Sequence, residues 1–168
     1  MILLLLRRLA LTFALLGAAA ALAVALMTVA SIAGRALWLT PIPGDVELTQ
    51  FGIAWALSLS LPWCQLRGAN IIVDFFTQHL RARQVRVLDG VGAVLLALMC
   101  TLLAWRTSVG ALAVREAGET SMILALPMWW AYASLAPGLA LAAMVALAQA
   151  ARHFRGLPLH GVQGGKAA

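Results

Sequence analysis

Four long stretches of this chain contain no charged residue: Leu9 to Gly34, Leu48 to Leu66, Gly90 to Trp105 and Thr120 to Ala151. This pattern constrains the fold more than any other feature. About 20 apolar residues in a helix cross a hydrocarbon core of about 30 Å. The first, second and fourth stretches are long enough by themselves. The third becomes long enough by taking in flanking residues such as Val85 to Leu88 and Thr107. Asp89 then falls in its first turn, where Arg86 pairs with it at helical spacing. Spans are expected near 9–33, 46–66, 86–107 and 125–149. Residues 1–154 read as a single all-α, four-helix membrane domain, and 155–168 as a flexible tail of Gly, Pro and small residues.

Composition supports lipid as the solvent. The chain is 63% hydrophobic and 11% charged, with a mean hydropathy of +0.94. A soluble domain needs far more polar surface. The basic pair Arg7-Arg8 resembles the flank of a leader. A leader's apolar region is only about 7–15 residues long, however. The longer first run reads as a retained anchor.

Charge asymmetry sets the expected orientation. With the N-terminus inside, nine basic residues are cytoplasmic: Arg7, Arg8, Arg67, Arg81, Arg83, Arg86, Arg152, Arg155 and Lys166. Three are outside: Arg35, Arg106 and Arg115. The bias places both termini in the cytoplasm. It also accounts for the net charge of +6 without nucleic acid as a partner. Trp38, Trp105, Trp129, Trp130 and Tyr132 gather at the outer ends of spans and Trp63 near an inner end, as an interfacial belt requires.

Between spans two and three, Asn70 to Arg83 reads as an amphipathic helix. Ile72, Phe75, Phe76 and Leu80 share one face; Asp74, Thr77, Gln78 and Arg81 share the other. Asn70 caps its start, and the helix lies in the cytoplasmic interface. After span three, Ser108 to Ala117 reads as a second, weaker interfacial segment, stopped by Gly118.

The spans lack the residues that chemistry needs. No ionisable side chain falls near the centre of any predicted span, whereas ion pathways and proton relays require one. Thr12, Thr28, Ser31, Ser58, Ser60 and Thr101 are there instead, and hydroxyls bond their own helix or join neighbours. His79, His153 and His160 all fall outside the spans, which argues against a haem-binding redox anchor. Cys64 and Cys100 read as small hydrophobes without metal-ligand spacing. No phosphate loop, nucleophile elbow or metal motif is evident, so the chain is not expected to be an enzyme or to hold a cofactor. A stand-alone exporter would need a membrane-embedded acid.

Other features concern packing. Pro137-Gly138 bends span four, either as a tolerated kink or where another protein packs. Gly17 and the alanines after it give span one a small-residue surface for close helix approach, within the chain or to a partner. Pro41 to Asp45 forms an outer turn; Asp45 is a candidate N-cap and Glu47 a first-turn acid favoured by the helix dipole.

The order of several short motifs resembles one known family. They are Pro43-Gly44 before Glu47-Leu48, Leu61-Pro62, Arg67-Gly68, Val73-Asp74, Trp105-Arg106, Gly118-Glu119-Thr120-Ser121, and Leu126-Pro127-Met128-Trp129 with Tyr132. Spaced around four spans from Leu9 to Leu147, they resemble the small permease subunits of tripartite ATP-independent periplasmic (TRAP) transporters. Family members often carry His and a basic residue before the Val-Asp pair, where this chain has Asn70 and Ile71. The resemblance implies an inner-membrane subunit that braces a large multi-span permease. Sodium and substrate sites belong to that permease, and a periplasmic binding protein delivers an organic acid. On this basis Glu47, Arg67, Asn70, Asp74, Arg106, Glu119 and Trp129 are candidate partner-interface residues.

Overall fold

Four long helices run along the chain, α1 (Ile2–Trp38), α2 (Asp45–Arg67), α3 (Ala82–Ala117) and α4 (Trp129–Arg155). The computed structural model describes residues 2–40, 42–67 and 82–155. The expected interfacial helix, with Asn70 and Asp74, lies outside the described residues except that Ala82 and Arg83 begin α3. The tail beyond Arg155 lies outside them too. Among the described residues the only β pairing is an isolated bridge between Thr120 and Pro127.

α1, α3 and α4 are long and apolar enough to cross a membrane, over Leu4–Leu37, Val87–Ala117 and Trp129–Arg155. α2 has the length, 23 residues, but is not among the helices apolar enough to qualify. Asp45, Glu47, Thr49 and Gln50 crowd its first turns, and Gln65 and Arg67 its last.

Two boundaries depart from expectation. Ser108 to Ala117 is not a separate interfacial segment, because α3 continues through it without a break. Its Ala, Leu and Val residues extend the helix, and Thr107 and Ser108 bond back to the carbonyls of Leu103 and Ala104 rather than disrupting it. α4 starts at Trp129 rather than near residue 125, since Ala125 has a φ of 52° and cannot be helical.

The helices form an open row. α3 packs extensively on α4, α4 on α2, and α2 on α1, while α1 and α3 share no substantial contact. α1 and α3 therefore sit at the two edges, and most of α1 is uncovered. Leu22, Leu26, Val29 and Ile32 on α1 are all more than half exposed, an apolar display that suits lipid or another protein.

Close approach depends on small residues. On α1, a Cβ at Gly17 would stand 2.9 Å from the Ala56 carbonyl and 2.8 Å from the Ser60 hydroxyl of α2. One at Gly52 of α2 would overlap Val24 of α1, and one at Gly138 of α4 would overlap the Ser58 backbone of α2. Gly17 and the Pro137-Gly138 step are thus used within the chain, whereas Ala18, Ala19, Ala21, Ala23 and Ala25 of the same α1 stretch stay exposed. Pro137 has no N–H to give the preceding turn. The Ser58 hydroxyl, 1% exposed, donates to the nearby carbonyls of Leu135 (3.0 Å) and Ser134 (3.3 Å).

Ala10, Leu66 and Val145 join α1, α2 and α4 in one apolar cluster with Trp63 against it. Cys100 packs with Ala142, Ala143 and Leu96, whereas Cys64 is exposed on α2 and not buried as its apolar context suggests. A polar clasp joins α2 to α4: the Gln65 amide donates to the Gln149 side-chain oxygen (2.7 Å), and Gln149 donates to the Gln65 carbonyl (2.9 Å).

Candidate functional site

The end of the molecule where α1 meets α2 and α3 meets α4 carries the densest polar organisation. α1 stops at Trp38, and Leu39 turns the chain with a φ of 55°. The Thr40 N–H then reaches back to the Gly34 carbonyl at 3.4 Å. The Leu48 N–H donates to the Gly44 carbonyl (3.0 Å), so the first α2 bond begins at Gly44. Asp45 is therefore the first helical residue and not the cap.

Its carboxylate binds across the turn instead. It accepts from the Ser31 hydroxyl (2.6 Å) and the Val46 N–H (2.8 Å), with the Arg35 guanidinium at 3.6 Å. Ser31, 1% exposed, also accepts from the Ile42 N–H at 3.3 Å. The Ser31 bond is the main reason the Asp45 carboxyl lies below the usual carboxylate range; Val46 and Arg35 add to it, against some desolvation.

The second turn is built on Glu47. α3 ends in a Schellman motif, with Gly118 at a φ of 66°, its N–H on the Arg115 carbonyl and the Glu119 N–H on the Val114 carbonyl. Gly118 thus stops the helix, as expected. A short hairpin follows, paired by Met128 N–H to the Glu119 carbonyl (3.0 Å) and Ser121 N–H to the Leu126 carbonyl (2.9 Å). The Glu47 carboxylate fills its loop. It accepts from the Ser121 hydroxyl (2.7 Å), the Ile123 N–H (2.8 Å) and the Leu124 N–H (3.0 Å). The Leu124 side chain rests where a Cβ on Gly44 would otherwise be. At the tip, Met122 is 100% exposed and Ile123 64%.

Of the candidate interface residues, Glu47, Glu119 and Trp129 are brought to this end. The Glu119 side chain is exposed. Trp129 is half-buried, under the Arg115 guanidinium at 5.4 Å and edge-on to Trp130. Arg67 lies at the opposite end of α2, over the Trp63 ring at 4.9 Å. Arg106 is expected at the outer edge of span three, but α3 runs eleven residues past it, so it lies well inside the helix. Asn70 and Asp74 lie outside the described residues.

Residue-by-residue reading does not single out Gln65, Gln149 or the Ser121 pairing. Two amides inside otherwise apolar runs were the available signal for the first pair. Ser31 and Ser58 join helices, while Thr12, Thr28 and Thr101 bond only their own backbone, which divides the span hydroxyls between the two roles open to them. Among the described residues no group of acids, histidines and cysteines has the geometry of a metal site.

The loops gripped by Glu47 and Gly44 are built from the same motifs that carry the sequence resemblance. A family model described as "Tripartite ATP-independent periplasmic transporters, DctQ component" matches residues 24–156. The chain belongs to this family. As a DctQ component it is a subunit of a membrane transporter, from a family of transporter subunits rather than enzymes. The match takes in the end of α1 and all of α2, α3 and α4, so both turns of this DctQ component lie within it. Comparison with curated proteins and with solved structures gives no match.

Proposed function

We propose that this subunit is a static brace for the large permease of a TRAP transporter. The permease carries out sodium-coupled uptake of an organic acid delivered by a periplasmic binding protein. All four helices cross the inner membrane, with the hairpin end periplasmic and both termini cytoplasmic. α2 crosses despite its polar ends, because 23 residues span about 34 Å and its middle packs on α1 and α4, while the side chains exposed there, Ile53, Trp55 and Leu57, are apolar.

The observation that carries this reading is the open row of helices. The contacts between helices are closed by Gly, Ala and Ser, too tight for a solute to pass. The edge helices meanwhile keep broad apolar faces uncovered. Such a molecule is suited to widening another membrane protein, not to conducting. At the hairpin end, exposed Glu119 and the Met122-Ile123 tip provide the contact for the binding protein. Glu119→Lys should lower uptake while leaving the membrane complex intact; unchanged uptake would remove Glu119 from that contact.

The direct test is co-purification in mild detergent from membranes in which the large permease is expressed. The two should elute together. Recovery of this chain alone would contradict the reading.

A further inference from the structure

The register of α3 against α4 brings a cation level with the middle of the helix row. Three contacts define that register. Gly110 faces Tyr132, with the ring 3.8 Å from where a Cβ would stand. Cys100 packs on Ala142 and Ala143. Gly90 faces Phe154. Between the first two, Arg106 falls level with Pro137. The next residue, Gly138, is pressed on Ser58, thirteen residues into the 23-residue α2. Arg106 is therefore level with the middle of α2. With α2 crossing the membrane, this departs from the expectation that no ionisable side chain lies near mid-span and that the neighbouring Trp105 is interfacial. Arg106 is about 16 Å along α3 from Ala117, further than one side chain snorkels.

Arg106 also points away from the rest of the chain. The face of α3 that meets α4 runs through Ala93, Ala97, Cys100 and Ala111, which are buried. Arg106 is exposed on the other side, next to Trp105 at 66% exposure, with Leu102 and Val109 exposed one turn before and after it. Among the described residues no acid pairs with it; the one ion pair there joins Arg35 and Asp45.

The geometry points to this face of α3 as the surface that receives the large permease, with a carboxylate on a membrane-embedded helix of that partner meeting Arg106. The inference rests on the brace reading above. Intramembrane cations face protein and pair with acids, because hydrocarbon gives them nothing to bond. An exposed Trp-Arg pair in an apolar surround is also the composition of an interface anchor. α1, at the other edge, has a wholly apolar middle and demands only lipid.

The test places a photo-reactive amino acid at Leu102 or Val109 on α3, and at Leu22 or Leu26 on α1, in cells that also make the large permease. Arg106 stays in place in these variants. Cross-links to the permease from Leu102 and Val109 are expected, with at least tenfold less from α1. In parallel, Arg106→Leu should leave the amount of subunit in the membrane equal or higher, since leucine suits lipid better. It should cut the permease recovered with it at least tenfold, and Arg106→Lys should restore part of that. Cross-links from α1 alone, or full permease recovery with Arg106→Leu, would overturn the inference and leave the brace reading standing. Absence of permease cross-links from both helices would overturn the brace reading as well.

Discussion

Glu47 and Ser121, 74 residues apart in the chain, meet at 2.7 Å, and that bond ties the start of α2 to the hairpin between α3 and α4. The same carboxylate takes the Ile123 and Leu124 N–H groups. One acid thereby holds a loop whose own pairing is a single bridge.

Replacing Glu47 should loosen that loop in a graded way. Glu47→Gln keeps one acceptor oxygen, and Glu47→Ala keeps none. Amide exchange at Ile123 and Leu124 is expected to rise modestly in the first variant and by about tenfold or more in the second. Equal exchange in all three proteins would show that the hairpin stands without Glu47.

The fold was legible where one residue type decides a local outcome. Charge-free runs mark the helices, Gly118 marks a stop because its φ is positive, and Ser58 marks a helix contact because a hydroxyl in an apolar span needs an acceptor. The Glu47 site was not legible in the same way. Its donors lie on a distant loop and are mostly backbone N–H groups, which leave no side-chain signature. The extent of α3 was hidden by Arg106, which reads as the end of a span when only hydropathy is considered. The helix itself runs on to Ala117, with Gly110, Cys100 and Gly90 in contact with α4 along its length.

The Gln65–Gln149 clasp should behave as a unit. Replacing either amide with leucine removes the 2.7 Å side-chain bond between them, at a cost of about 1–2 kcal/mol. Replacing both should cost less than the sum of the two. Unfolding in detergent, run as a double-mutant cycle, measures the coupling. Strict additivity would mean that the two amides do not depend on each other.

Glycine should be required at position 138 and dispensable at position 92. A side chain at Gly138 overlaps the Ser58 backbone, whereas nothing lies within 4 Å of a Cβ at Gly92. Gly138→Val should lower stability by about 1–3 kcal/mol through overpacking. Gly92→Ala should match the native protein or slightly exceed it. Similar melting temperatures for both variants would argue against the tight α2–α4 crossing.

Asp45 gives the turn between α1 and α2 a defined pH response. Its folded pKa lies below the ordinary value of 3.8, so its contribution is present above 3.8 and fades as pH falls through the folded value. Native protein should therefore melt above Asp45→Asn at neutral pH, and the two curves should converge in acid below 3.8. A gap that persists or widens in acid would contradict the assignment.

The central claim, that this DctQ component braces a permease and carries nothing itself, is tested most directly by uptake in liposomes under a sodium gradient. The account predicts no uptake with this chain alone. Uptake should appear when the large permease and the substrate-loaded binding protein are present together with it, and fall sharply when this chain is left out. Substrate accumulation in liposomes that contain only this chain would contradict it.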